Sequence, residues 1–370
     1  MFYRPAWEEI NLDNLDFNLQ YLKEKLGQQK MLIAVIKANG YGAGDRQVAE
    51  AAISGGAGYL AVSSLDEAIA LRLQGISTPI LVLNYVSPQH LLAALQHDVT
   101  ITVTSLEHAQ AITMTKLTNL KIHLKVDTGM NRIGFKHDDE LKTALTLLRS
   151  SQQVEGIFTH YLDSGIDQNP ITLKQYQSFK ETLAYLNYPF KYIHTANSDA
   201  IINFHDEISN AARAGIAMFG ISSYSTDLKP VCALYTKITH IKQVSKGETI
   251  SYSGTYTTEN NEWIATVPLG YADGLLRHNQ NRRIYVNGEY GTIVGRICMD
   301  QCMIKLTKFY PVDTVVEIFG PHLGLTEAAE YLDTIPYEIL TSISDRVARV
   351  YRRATGVELV SNLRLDHYMK

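Results

Sequence analysis

The run Met31-Leu-Ile-Ala-Val-Ile36, followed at once by Lys37 and then by Ala38-Asn-Gly-Tyr-Gly-Ala-Gly44, sets the reading of the whole chain. A short unbroken apolar stretch that opens into a glycine-rich loop reads as a buried strand. The glycine-rich segment turns the chain and leaves a lysine at the strand tip. Such a lysine is either a snorkelling side chain or a desolvated amine able to form an imine with an aldehyde cofactor.

Seven more apolar runs follow, so that the eight occupy residues 31–36, 59–62, 80–83, 100–103, 122–126, 156–158, 191–193 and 211–214. Helical patterns follow most of them. Ser64-Leu-Asp-Glu67 is a capping box ahead of an apolar-periodic stretch that ends at Gly75. Ser87-Pro88 pairs a capping serine with a first-turn proline, and Ser105, Asp138 and Thr172 also read as helix starts. Eight strand–helix repeats predict an α/β fold, a parallel (β/α)8 barrel of the TIM type; an open doubly wound sheet is the alternative.

Beyond about residue 235 the rhythm changes to short alternating segments separated by turn signals such as Lys246-Gly247 and Asn287-Gly288. The expected organisation is a barrel over residues 1–235 and a mainly-β domain over residues 236–370. The first ten or so residues are expected to pack with the β domain. One or two helices are expected near residues 326–344.

Composition narrows the function classes. Net charge is −4 and basic residues are scattered, which argues against a nucleic-acid partner. Three unevenly spaced cysteines do not make a disulfide framework, and Cys298 with Cys302 lacks the second pair a zinc site needs, so no metal is expected. No run approaches the 18 or so apolar residues of a membrane span, and Met1-Phe-Tyr-Arg-Pro-Ala-Trp7 lacks a basic-then-apolar signal. A soluble cytoplasmic protein with a small-molecule substrate is the expectation.

Reactive groups of such a barrel belong where its strands end. Lys37 closes the first run, Lys125 and Asp127 the fifth, and His160 the sixth. His194-Thr-Ala-Asn-Ser198 follows the seventh, and Arg213 with Gly215-Ile216 closes the eighth. Ser198 and the Gly215-Ile216 pair lie after the seventh and eighth strands, where phosphate sites of these barrels gather.

Taken in order, these segments resemble the alanine racemase family: Ala34-Val-Ile-Lys-Ala-Asn-Gly-Tyr-Gly, Lys125-Val-Asp-Thr-Gly-Met-Asn-Arg-Ile-Gly, His194-Thr-Ala-Asn-Ser and Arg213-Ala-Gly-Ile-Ala-Met-Phe-Gly. Ser251-Tyr-Ser-Gly, Pro268-Leu-Gly-Tyr-Ala-Asp-Gly, Gly295-Arg-Ile-Cys-Met-Asp-Gln-Cys-Met, Tyr337-Glu and Arg346-Val-Ala-Arg continue the resemblance over nearly the whole chain.

The resemblance implies pyridoxal phosphate as cofactor, held covalently by Lys37, which also serves as one acid/base. Tyr252 is implied as the second, on the opposite face of the substrate α-carbon. A phenol needs neighbouring positive charge to act as a base near neutrality. Arg213 is implied to face the pyridine nitrogen. Guanidinium only donates, so that nitrogen stays unprotonated and the ring is a weaker electron sink, less prone to transamination or decarboxylation. Tyr41, Asn197, Ser198, Gly215, Ile216 and Tyr337 are implied to hold the cofactor, mostly at its phosphate. His160 is implied to lie against its ring, with His194 supporting Arg213.

Arg132 and the Met299 backbone are implied for the substrate carboxylate, with Tyr271 narrowing the entrance and Asp300 in support. Lys125 is expected to be carbamylated, so that an anion fixes Arg132; an ordinary Lys125–Asp127 ion pair is the alternative. Because Tyr252 and Lys37 fall in different domains, the resemblance further implies a head-to-tail homodimer with shared sites. Departures from the family pattern are Ala43, Asn131 and Ala348, where relatives often carry histidine, glycine and proline.

The expected activity is interconversion of L- and D-alanine, supplying D-alanine for peptidoglycan. A decarboxylase of the same architecture, a broader or serine racemase, and a non-catalytic carrier of the cofactor are the rivals. A decarboxylase calls for an acid at the position of Arg213, and a carrier has no use for the β domain.

Overall fold

The computed structural model describes residues 2–366 apart from 167. Two compact units divide the chain, one of Asp16–Leu228 and one of Met1–Leu15 with Lys229–Lys370. Strand β1 (Ala6–Asn11) belongs to the second unit. The next eight are β2 (Met31–Val35), β3 (Tyr59–Val62), β4 (Ile80–Tyr85), β5 (Val99–Val103), β6 (Lys121–Lys125), β7 (Gln153–Phe158), β8 (Tyr192–His194) and β9 (Ala211–Ala214). They pair in parallel in chain order, and β9 returns to pair with β2, closing the barrel that the alternation predicts.

The apolar runs are continuous because these strands are covered on both faces. Ile33, Ala34, Leu60, Ala61, Leu81, Ile101, Ile122 and Ile157 are fully buried. One position needs a missing side chain: a Cβ on Gly156 would lie 2.6 Å from the His123 ring inside the barrel.

Helix starts follow local chemistry. The Ser64 box is formed, with Ser64 Oγ accepting from Glu67 N at 3.3 Å and Glu67 Oε2 accepting from Ser64 N at 3.2 Å. Ser87 and Ser105 cap as their positions predict. The start expected at Thr172 is corrected to Pro170: Asn169 accepts from the N–H groups of Ile171 and Thr172, and Pro170 takes the first-turn place where a missing N–H costs nothing.

The other unit carries β10 (Cys232–Lys237), β11 (His240–Val244), β12 (Thr249–Ile250), β13 (Tyr256–Thr257), β14 (Glu262–Val267), β15 (Arg283–Val286), β16 (Glu289–Val294), β17 (Cys302–Leu306), β18 (Val315–Phe319), β19 (Ala348–Arg353) and β20 (Gly356–Ser361). Ten described strands form one sheet in the order β11-β14-β17-β16-β15-β18-β10-β1-β19-β20, and β12 pairs with β13. The alternating pattern runs unbroken through residues 237–244, yet these residues form parts of two strands. Ile238 N still bonds Thr314 O beside β18, whereas Thr239 N bonds Thr266 O in β14, so the chain changes partner there. Helices Leu325–Tyr331 and Pro336–Ser342 lie where helix is expected. Among the described residues no helix is long and apolar enough to cross a membrane.

Candidate active site

Lys37 opens a turn that ordinary L-residues avoid. Residues 38, 39, 40 and 41 have φ of 54°, 55°, 59° and 55°, a left-handed helical turn. Three of the four carry a Cβ, and each such residue costs about 1–2 kcal/mol in this conformation. Backbone bonds from Gly40 N to Ile36 O and from Gly42 N to Ala38 O, each 2.9 Å, close it. Asn39 Oδ1 receives Asp45 N at 3.0 Å, and Glu67 Oε1 receives Ala38 N at 2.7 Å. Lys37 is exposed as a residue, yet the protein packed around its ammonium lowers its pKa, Arg132 lowers it further, and Glu67 opposes both. The amine is thereby made easier to deprotonate and more nucleophilic.

Arg213, on β9, is buried at 4 % exposure and held on three sides. Its Nη1 donates to His194 Nδ1 at 2.6 Å and to His194 O at 3.1 Å. Its Nη2 donates to Thr159 O and Thr195 O, both at 2.8 Å, and to His160 Nδ1 at 3.2 Å. Burial lowers the guanidinium only to about 10, so it stays cationic near neutrality. Around it His160 is pushed down to about 2 and His194 well below its usual range, first by burial and then by the Arg213 charge. Both imidazoles are neutral and can accept. Nε–H is the one Arg213 donor group that meets no protein acceptor among the described residues.

Lys125 ends β6 at 4 % exposure. Its Nζ donates to Val126 O at 2.7 Å and lies 5.4 Å from the centre of the Phe158 ring. Burial, then Arg213, bring it down to about 7, with Asp127 opposing and Arg132 reinforcing. Asp127 instead accepts from Gly129 N and Asn131 N at 3.0 Å and lies 3.7 Å from Lys136 Nζ. That shapes the loop carrying the exposed Arg132. Asn131 has φ of 57°, which explains why asparagine can stand where glycine is common.

Ser198, Gly215 and Tyr41 converge. Ser198 Oγ accepts from Gly215 N at 2.9 Å and Ala217 N at 3.3 Å. A Cβ on Gly215 would lie 2.5 Å from Tyr41 Oη and 3.7 Å from Ser198 Oγ. Ile216 begins the short helical turn Ile216–Phe219, and Tyr41 packs on Phe219 with ring centres 5.1 Å apart. Asn197 is tied elsewhere: its Oδ1 caps Ala200 N at 3.0 Å and accepts from Ser164 Oγ at 2.7 Å.

The remaining candidates belong to the β unit. Tyr252 is 71 % exposed on the turn Tyr252–Gly254, between Ser251 and Ser253, both at positive φ. Ser251 Oγ donates to Arg296 O at 2.6 Å. Tyr271 N bonds Cys298 O at 3.1 Å and Ala272 N bonds Met299 O at 3.0 Å. Asp300 pairs with Arg346 at 2.6 Å, and Arg346 lies 3.4 Å from the fully buried Asp273, which also pairs with Arg4. Tyr337 is partly exposed on Pro336–Ser342. Tyr271, Met299 and Asp300 thus form one cluster. Glu67 and His123 escape the sequence reading: Glu67 looks like nothing more than a capping residue, and a lone histidine inside an apolar strand carries no signal of its partner.

The barrel residues suit pyridoxal phosphate. The space that a Cβ on Gly215 would fill, rimmed by a phenol, a hydroxyl and backbone N–H groups, suits a phosphate. The spare Arg213 donor suits a pyridine nitrogen, and the lowered Lys37 amine suits an aldehyde.

Residues 10–223 match the alanine racemase N-terminal domain and residues 231–351 the alanine racemase C-terminal domain. Alanine racemase 1 of Bacillus subtilis (strain 168) is 40% identical over 375 residues, covering 98% of this chain and 96% of that protein. Alanine racemase of Geobacillus stearothermophilus is 39% identical over 378 residues, covering 98% and 97%. The crystal structure of alanine racemase from Bacillus anthracis with bound L-Ala-P superposes with a TM-score of 0.95 at 41% identity, covering 99% of this chain and 100% of that one. With both domains matched in order and the fold shared from end to end, this chain belongs to the alanine racemase family.

Proposed function

We propose that this chain interconverts L- and D-alanine by a two-base mechanism, as a homodimer in which Lys37 of one subunit and Tyr252 of the other flank the same α-carbon. Arg213 is the observation that carries the reading. A buried cation with a spare donor keeps a ring nitrogen unprotonated, which favours a single proton exchange over decarboxylation.

Bound pyridoxal phosphate supplies an aldehyde carbon for an amine and a conjugated ring that spreads the charge left by a departing α-hydrogen. Tyr41, Ser198, the Gly215 and Ile216 N–H groups and Tyr337 would hold its phosphate, with Asn197 keeping the start of Ser198–Asn203 in place. From one face of the α-carbon Lys37 Nζ takes or returns the proton; from the other Tyr252 Oη does the same. One proton leaves and one arrives, so the reaction is balanced in either direction.

Arg132 and the Met299 backbone orient the carboxylate, while Tyr271 restricts the entrance so that a methyl side chain is favoured and serine is at most a slow substrate. Lys125, with its pKa near 7, is the amine in this group best suited to carbamylation by carbon dioxide, which would give Arg132 an anionic partner. Asp300 steadies the Met299 segment through Arg346. The product would serve cytoplasmic synthesis of peptidoglycan precursors.

Polarimetry of L-alanine with the cofactor-loaded enzyme tests the reading. Rotation should decay to zero without release of carbon dioxide, and the decay should stop with Lys37→Ala. Carbon dioxide release, or unchanged rotation with cofactor bound, would reject it. Signal from 13C-bicarbonate bound to wild type and absent in Lys125→Met checks the carbamate separately.

A further inference from the structure

His194 does not end the chain of contacts that begins at Arg213. Its Nε2 lies 2.9 Å from Nδ1 of His123, which is on β6 and fully buried. His123 stacks on Tyr192 with ring centres 5.6 Å apart, and its Nε2 is buried without a hydrogen-bond partner. Gly156 makes room for the ring, since any Cβ there would strike it at 2.6 Å. A polar ring in the barrel core with one nitrogen left unpaired is costly and is expected to do something for its other nitrogen.

Donor logic gives the direction of the chain. Guanidinium cannot accept, so the contact from Arg213 Nη1 makes His194 Nδ1 an acceptor. A neutral imidazole then carries its hydrogen on Nε2, which must donate to His123 Nδ1. The opposite arrangement would leave His194 accepting at both nitrogens, an imidazolate in a buried site. His123 therefore carries its hydrogen on Nε2, the buried nitrogen without a partner. Burial, followed by the Arg213 charge, holds His123 down to about 3, so the chain stays neutral beyond the arginine.

We propose that His123 is a positioning residue: by accepting the His194 Nε2 hydrogen it locks the tautomer that receives Arg213, and so fixes the guanidinium with Nε–H free for the cofactor ring. The proposal deepens the reading of Arg213 as the ring partner and rests on it for its catalytic consequence. The tautomer itself does not depend on that reading.

Selective 15N-histidine labelling with NMR on the whole protein reads the tautomers directly. Wild type should show His194 protonated at Nε2 alone and His123 at Nε2 alone, with or without cofactor. In His123→Leu the acceptor is gone, and the His194 pattern should broaden or divide. The absorption band of the bound cofactor should shift, and kcat should fall roughly ten- to a hundredfold. In His123→Asn the side-chain oxygen can stand where Nδ1 stood, so the His194 pattern, the band and most of kcat should return.

A hydrogen on His194 Nδ1 in wild type would overturn the proposal whatever the variants do. Equal impairment of the leucine and asparagine variants at matched thermal stability would also overturn it. Intact tautomers in a protein that fails to racemise alanine would instead leave the positioning claim standing and remove the functional reading beneath it.

Discussion

Glu67 reaches from the start of helix Leu65–Leu73 to the backbone of Ala38, whose N–H it accepts at 2.7 Å. Its other oxygen accepts from Ser63 N at 2.6 Å and Ser64 N at 3.2 Å. One carboxylate therefore starts a helix and pins a left-handed turn beside the amine. Strained backbone persists only where surrounding contacts hold it.

Replacing Glu67 by alanine removes both functions. Glu67→Ala should lose about 2 kcal/mol of stability, read as a lower urea midpoint at an unchanged slope. Glu67→Gln, which keeps one acceptor oxygen, should lose less. An unmoved midpoint in the alanine variant would show that the turn holds itself.

Lys125 predicts a pH dependence whose sign follows from burial. An unfolded lysine keeps its proton to about pH 10.4, whereas the folded one releases it at about 7. Between those values the unfolded chain binds more protons, so this group makes stability rise with pH from about 7 upward and adds no slope below it. The slope cannot exceed about 1.4 kcal/mol per pH unit. Urea titrations in CO2-free buffer should find it in wild type and not in Lys125→Met. Equal slopes in the two proteins would contradict the assignment.

Gly215 tests the phosphate cradle without touching the chemistry. A methyl at this position would come within 2.5 Å of Tyr41 Oη, and Tyr41 is packed on Phe219 with little room to yield. Gly215→Ala should remain folded but bind pyridoxal phosphate about tenfold more weakly, a change of about 1.4 kcal/mol by equilibrium titration. Wild-type affinity would mean that the cradle lies elsewhere.

The barrel was legible because strands covered on both faces must be apolar throughout, and eight such runs admit few closures. The partner change at Ile238-Thr239 was not, since alternation persists when a strand leaves one neighbour for another. At the site, lysine, arginine and serine at strand ends drew notice because polar groups there stand out against apolar runs. Glu67 and His123 did not, because the contacts that matter join residues 29 and 71 apart in sequence. Ala348 opens β19, in register with Trp7 of β1, so the strand starts there without a proline.

Arg213→Lys separates charge from shape. Lysine keeps the cation but has three donors on a single nitrogen, which cannot reach His194 on one side and the carbonyls of Thr159 and Thr195 on the other. Buried acceptors are left unmet, and about 2–3 kcal/mol of stability should be lost by thermal or urea unfolding, together with most of the cofactor affinity. A lysine variant as stable as wild type would mean that the cage needs only the charge.

Sharing of sites between subunits has a test that neither inactive parent can pass alone. Lys37→Ala removes the amine, and Tyr252→Phe removes the phenol. If the two groups meet across a head-to-tail dimer, a mixed dimer concentrates both lesions in one site and leaves the other intact. Random exchange of equal amounts makes half the dimers mixed, so about a quarter of wild-type activity should return. If instead both groups act within one subunit, every site keeps one lesion and mixing restores nothing. Recovery near a quarter, absent when either parent is incubated alone, would therefore place Lys37 and Tyr252 in one active site from different chains.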